Sequence, residues 1–406
     1  MLSNLLERAR KVGFPDATSD GAPLFWMITA VVGALTAVGL VMVLSASSVM
    51  SIANYNSAWY IFERQLGFAF LGIIAFIIAA RVDYHRWARW ANVLLGITIV
   101  SLFAVLVPGI GRISGGARRW IGPNTTIGFQ PSEVAKLVVL VYAANLLARR
   151  ASRRSDWKQS LVPIGIVTVL MCALVVKEPD LATAMEIAFV AIGVMIAAGL
   201  PWRHLVSAAA PALFAALVLA IAEPYRLSRV LTFLHPGRDP QNRSYQITQS
   251  LIALGNGGLT GVGLGNGHAK WLFLPAAHTD FIFAIIGEET GVIGCALVLA
   301  LFAAFAVAGA KVALRSKDRF GMLMAAGVTI WISAQALLNV AMVVGLAPVQ
   351  GTPLPFISAG GSSLVILMAA AGILANVARH CEVTVPARAA TPAPESVRAP
   401  ERAPER

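Results

Sequence analysis

Apolar runs of about 17 to 25 residues, the length a helix needs to cross a bilayer, recur along nearly the whole chain. We place them at 23–46, 65–80, 91–107, 132–148, 161–177, 181–200, 204–222, 281–309, 320–345 and 361–378. Polar connections between them are mostly short. A helix satisfies its own backbone inside lipid, so each run is predicted to be a helix. The pattern therefore predicts an all-α, polytopic integral membrane protein of about ten transmembrane helices. One connection is long, 223–280, between predicted helices seven and eight. The end of the chain, VPARAATPAPESVRAPERAPER, has too few apolar residues to offset the entropy of ordering. The chain thus divides into an N-terminal segment 1–22, a membrane domain 23–380 and a disordered tail 381–406. The tail fits a solvated end as well as a tether for a cytoplasmic partner.

Composition agrees. The chain is 57% hydrophobic and 13% charged, with a mean hydropathy of +0.73. Soluble domains carry about a quarter charged residues. A net charge of +12 invites a nucleic-acid reading, but the basic residues sit in short loops rather than on one soluble face, so nucleic acid is not expected as a partner. Cys172, Cys295 and Cys381 are too far apart to suggest a metal motif or a disulfide framework. The opening MLSNLLERARKVGFPD is polar and basic and has no signal-peptide pattern. An even number of spans puts both termini on one side. That side also holds RVDYHRWAR, ARRASRRSDWK and KVALRSKDR, most of the Lys and Arg, and is predicted to be cytoplasmic. The other side still carries Arg in long loops, which orientation does not require and which suits an anion held outside.

Ionisable groups at or within spans are functional candidates by default. Glu133 and Lys136 stand three apart after Pro131, on one face of a first helical turn. They fit a self-neutralising ion pair and also a phosphate-facing lysine fixed by its glutamate. Glu186 has no local partner in the sequence and fits a packing role. Arg119, between Arg118 and Trp120, fits an interfacial anchor or a bidentate phosphate ligand. GLTGVGLGNG fails the dinucleotide fingerprint, because Asn266 takes the third-glycine place and no βαβ context exists. Asp280, at the outer mouth of the eighth span, fits a helix N-cap as well as a general base.

The motifs GARRWI, FQPSEVAKL, EPDLATA, RVLTFLHPGRDPQNRSYQITQSL, FLPAAHTDFIFAIIGEETGVIG and GTPLPFISAGGSSL occur in this order. Together they resemble the SEDS family (shape, elongation, division and sporulation: FtsW, RodA, SpoVE). The wording of AIIGEE and FISAGGSSL is closer to the division branch than to the elongation branch. The resemblance implies a ten-span glycosyltransferase of the bacterial cytoplasmic membrane, acting at the septum on its outer face. It implies lipid II as substrate, undecaprenyl diphosphate as product, and a class B penicillin-binding protein among divisome membrane partners. It puts the essential acid at Asp280 and assigns binding roles to Arg119, Glu133 and Lys136. Two positions depart from the family pattern: Ala276 stands for an acid and Ala359 for a tyrosine.

Under that resemblance one acid is enough. A lipid diphosphate leaves as a stable anion and needs positive charge rather than the protonation a glycosidase supplies. Asp280 is then the base that takes the proton from the attacking sugar hydroxyl, with inversion at the anomeric carbon. Lys136, Arg119, Arg243 and Lys270 are the expected diphosphate ligands. His278 and Thr279 are expected to orient Asp280. The motifs fix no cofactor, and a divalent cation, Mg²⁺ or Mn²⁺, is a candidate to share the phosphate. The rival readings are a lipid II flippase and a non-catalytic scaffold that recruits a transpeptidase. The flippase reading is weakened by the lack of an internal repeat.

Overall fold

The computed structural model describes residues 21–114, 117–122, 128–150, 157–222, 227, 233 and 244–381. The predicted N-terminal segment, the tail from 382 onward and most of 223–243, Arg243 included, lie outside the described residues. Each of the ten predicted runs is a helix. They are α1 (Ala22–Tyr55), α2 (Tyr60–Arg81), α3 (His85–Leu106), α4 (Pro131–Arg149), α5 (Trp157–Lys177), α6 (Leu181–Ala197) and α7 (Trp202–Ala222). After a shorter helix, α8 (Tyr245–Gly257), come α9 (Ile282–Arg315), α10 (Arg319–Val343) and α11 (Gly361–Arg379). Among the described residues, seven helices are both long and apolar enough to cross a membrane: α1 to α4 and α9 to α11.

Local chemistry sets several boundaries. Pro131 opens α4, where its missing N–H costs nothing. Asp180 caps α6 by accepting the Thr183 amide at 3.1 Å, and Asp318 caps α10 by accepting the Gly321 amide at 2.9 Å. Helices α4, α10 and α11 are largely enclosed, while α2 and α3 turn most of their apolar surface outward. The core is thus protein-packed at α4, α10 and α11 and faces lipid at the rim.

Two features depart from the predicted pattern. The chain is not purely helical: β1 (Gly111–Ser114) and β2 (Ala117–Ile121) form an antiparallel hairpin after α3. The 223–280 connection also holds α8 and an ordered turn system from 258 to 281. That system is fastened to a break in α9, where Gly291 has φ 68° and ψ −166°. The amides of Val262 and Gly263 donate to the carbonyls of Glu288 and Glu289, and those of Val292 and Ile293 to the carbonyls of Gly258 and Leu259. Freed backbone groups of the broken helix therefore find partners in the loop, which makes such a break tolerable at membrane depth. Gly261 has φ +79°, and a Cβ there would collide with the Glu289 carbonyl. This close approach is what the glycine-rich GLTGVGLGNG stretch serves.

Candidate active site

Asp280 is the next-to-last residue of the turn system before α9, and it is partly exposed. The assigned helix N-cap is Phe281, which makes no side-chain capping bond. The Asp280 carboxylate lies against the backbone of Gly351, in the connection between α10 and α11. The fully buried Asn339 of α10 donates to the carbonyls of Asp280 at 2.8 Å and Thr352 at 2.7 Å, fixing that pairing.

Neighbouring residues anchor the same turn through their backbones. The Ala276 carbonyl accepts the amides of Thr279 and Phe281 as well as the Thr279 hydroxyl. The Thr279 carbonyl accepts the Ser358 hydroxyl at 2.6 Å, and the His278 carbonyl accepts the Ala359 amide at 3.0 Å. Gln65 of α2 completes the brace, donating to the Ser358 carbonyl and accepting the Gly360 amide. Burial, with Arg64 nearby, pushes the His278 imidazole down to about 4, so it is neutral at ordinary pH. Thr279 and His278 thus orient the turn.

Across the 358–362 segment lies a second cluster. The Arg119 guanidinium, on β2, donates to the carbonyls of Glu178 at 3.1 Å and Pro179 at 2.6 Å, and stands 3.4 Å from Asp180. A guanidinium has five N–H donors, so two remain for a ligand. Gln130 links Asp180 to Ser132 through its side chain and reaches the Ser362 hydroxyl through its amide. Ser358 and Ser362 are separated by roughly 14 Å of chain at most. The Asp280 turn and the Arg119 cluster are therefore fastened to one short segment.

An apolar cavity of about 340 Å³ opens beside it, lined by Phe68 of α2, Ile121 and Phe129 at the hairpin, and Ser362 and Ile366 of α11. Arg64 lies over Phe68, 5.9 Å from the ring centre. It makes no hydrogen bond or ion pair among the described residues. Neither Arg64 nor Arg119 lines the cavity itself: Arg64 lies over its wall residue Phe68, and Arg119 stands two residues before Ile121 on β2.

Other predicted ligands go elsewhere. Lys136 is buried and paired with Glu133 at 3.0 Å and Glu186 at 2.7 Å, with Trp331 5.6 Å away. The ion pair predicted for Glu133 and Lys136 is formed, and Glu186 has a partner that the sequence does not reveal. This triad ties α4 to α6. Lys270 spends all three donors, on Ser45 of α1 at 3.0 Å, Gly265 O at 2.5 Å and Glu289 at 2.9 Å. It has none over for a diphosphate here, which corrects its predicted role to a structural one.

Glu288 and Glu289 do not stand out in the motif reading. Both are buried, and they accept the amides of His268, Ala269 and Gly265. Their signal is two adjacent acids inside an apolar run. Glu178 is a further site residue that the sequence reading misses. It is fully buried, neither carboxylate oxygen has a hydrogen-bond partner among the described residues, and burial pushes its pKa up to about 8. Among the described residues, no cluster of three or more His, Cys, Asp or Glu could hold a metal ion.

Known proteins of similar sequence and fold supply an independent line. The family described as Cell cycle protein, that of FtsW, RodA and SpoVE, matches residues 25–383. A probable peptidoglycan glycosyltransferase FtsW from Mycobacterium tuberculosis is 43% identical over 364 residues, covering 89% of this chain and 69% of that protein. Stage V sporulation protein E from Bacillus subtilis is 38% identical over 351 residues, covering 85% and 94%. A solved chain from work on the structural coordination of polymerization and crosslinking by a peptidoglycan synthase complex superposes with a TM-score of 0.70 at 28% identity, covering 89% of this chain and 98% of that one. The crystal structure of Thermus thermophilus RodA superposes with a TM-score of 0.65 at 26% identity, covering 89% and 97%.

Proposed function

The chain belongs to the Cell cycle protein family of FtsW, RodA and SpoVE, and from that premise we infer that it is a peptidoglycan glycosyltransferase that polymerises lipid II. The observation that carries the reading is that the Asp280 turn and the Arg119 cluster are fastened to the one 358–362 segment, beside an apolar cavity whose wall residue Phe68 carries Arg64. A lipid-linked saccharide needs such a combination: an apolar groove for the isoprenoid, cations for the diphosphate, and a base for the sugar.

The steps follow from these groups. The donor's isoprenoid lies along the cavity between α2, α11 and the hairpin. Arg119 and Arg64 hold the diphosphate by charge-assisted bonds, which strengthen as negative charge gathers on the leaving group. Asp280 takes the proton from the attacking 4-hydroxyl as its oxygen bonds to the donor's anomeric carbon. The bond from that carbon to the diphosphate breaks, and undecaprenyl diphosphate leaves. Attack from the face opposite the leaving group inverts the centre and yields a β-1,4 link. General-base assistance of this kind supplies about 10²–10⁴ in rate.

Asp280 and Arg119 then face the outside of the cytoplasmic membrane, while the basic connections of α2–α3, α4–α5 and α9–α10 face the cytoplasm. The expected site of action is the septum. A transpeptidase, a class B penicillin-binding protein, is the expected partner, in keeping with the coupling of polymerization and crosslinking named for the similar synthase complex. The flippase reading needs an open polar path through the bundle, and the Glu133–Lys136–Glu186 triad is closed on itself. The test is to incubate purified protein in liposomes with fluorescent lipid II, reading glycan on a gel and leaflet distribution in parallel. Polymer without accelerated leaflet exchange is expected. Exchange without polymer, under conditions where a control polymerase works, overturns the assignment.

A further inference from the structure

At the end of the molecule away from the proposed active site, a second cavity of about 190 Å³ lies between α3 and α4. It is lined by Asn92, Tyr142, Asn145, Leu146, Arg149 and Arg150, two cations and no acid. The arginines are held in place. Arg149 Nε donates to Asn145 Oδ1 at 2.9 Å, and Asn145 donates to the Ala88 carbonyl of α3 at 3.0 Å. Arg150 is fixed from the other side by a 2.5 Å bond to the Gln159 carbonyl. Each guanidinium spends one donor on its anchor in this way, and each has five. The remaining fork is preorganised for a phosphate rather than free to wander.

The wall beside the cavity is apolar and faces outward. Ile99 and Phe103 of α3 stand seven and eleven residues after Asn92, hence on its face of the helix, and Phe103 is 51% exposed, so they form a stripe running from the cavity toward mid-membrane. Trp90 stands one turn into α3, the level at which an aromatic anchors at the headgroup boundary. A small polar basin with two cations at the end of an outward apolar stripe matches one class of ligand: an anionic phospholipid. Its phosphodiester would occupy the basin and its acyl chains the stripe. Basic recesses between transmembrane helices are suited to such headgroups.

We propose that the α3–α4 cavity is a binding site for the headgroup of an anionic phospholipid, with Arg149 and Arg150 as phosphate ligands and Asn92 and Tyr142 as polar contacts. It is separate from the substrate cavity between α2, α11 and the hairpin, and it stands whether or not the glycosyltransferase assignment does.

The experiment is native mass spectrometry of the full chain extracted in detergent. The protein is offered phosphatidylglycerol, phosphatidylcholine or inorganic phosphate at equal concentration. Wild type is expected to retain phosphatidylglycerol over phosphatidylcholine. The double variant Arg149→Gln/Arg150→Gln should lose roughly tenfold or more of that retention. Asn92→Trp, which fills the basin from an exposed position and keeps both arginines, should lose it as well and guards against misfolding of the double variant. Arg86→Gln/Arg89→Gln, at the same end of α3 but outside the cavity, should retain it. Equal retention by the cavity variants and wild type overturns the proposal. So does equal loss in the Arg86/Arg89 control, which points to diffuse charge. Phosphate that displaces the lipid at equal concentration overturns the lipid assignment in favour of a free-anion site.

Discussion

The Glu178 carboxyl, outside the membrane helices, is held far from its free form. It ionises near 4.5 in an unfolded chain and at about 8 in the turn between α5 and α6. Between those values the folded state holds a proton that the unfolded state has lost. Its contribution to stability therefore falls as pH rises from about 5 to 8. Between about pH 6.5 and 8 the His278 imidazole is neutral in both states, so there Glu178→Gln should hold its melting temperature roughly 2 °C better than wild type as pH rises. Thermal unfolding in detergent at three pH values checks this. Arg64→Ala is expected to lower kcat/KM for lipid II by roughly 10–100-fold with an unchanged melting temperature, because the side chain makes no hydrogen bond or ion pair among the described residues. An equal fall in thermal stability would point to a structural role instead. At this scale the sequence is half legible. Asp280 and Arg119 are singled out by motif and by membrane depth. Arg64 is not, because one more arginine at a membrane boundary looks like an anchor until the fold brings it beside the His278 turn. Lys270 misleads for the converse reason: its partners Ser45 and Glu289 lie 225 and 19 positions away.

Among the elements, the decisive joint is the one between the 258–281 turn system and the broken helix α9. Lys270, Glu288 and Glu289 lock the turns that carry Asp280 to α9 and to α1. Breaking a buried ion pair on one side leaves an uncompensated charge and costs about 3–5 kcal/mol, whereas replacing both partners by apolar groups costs far less. Lys270→Met and Glu289→Leu should each lower the melting temperature and polymerisation. The double variant should recover stability relative to either single change, a coupling readable in a thermal double-mutant cycle. Additive losses would mean that the pair does not act as a latch. The helices themselves are readable, because a period and a length carry them. The β1–β2 hairpin is not, since its Gly- and Arg-rich strands have no alternation strong enough to mark them. Helix α8 is hidden because it is too short to count as a span and sits in a polar connection. The break at Gly291 is invisible in an unbroken apolar run, since it depends on carbonyls and amides supplied by another segment.

For the molecule as a whole, orientation sets the function, because the proposed site must meet its lipid-linked substrate outside the cell. Arg112, exposed on the hairpin, and Lys317, exposed between α9 and α10, should lie on opposite sides. In intact cells, an impermeant thiol reagent is expected to label Arg112→Cys and to reach Lys317→Cys only after lysis. The opposite labelling would invert the arrangement and put Asp280 in the cytoplasm. The bias of Lys and Arg along the chain predicts this arrangement by itself, whereas the fastening of the Asp280 turn and the Arg119 cluster to one segment beside the cavity depends on the packing of α2, the hairpin and α11. The most direct test of that site is polymerisation of purified lipid II by wild type and Asp280→Asn, each with and without the cognate transpeptidase. Wild type should build glycan strands, and the asparagine protein, folded and still bound to its partner, should build none in either condition. Strands of wild-type length and rate from Asp280→Asn would contradict the account.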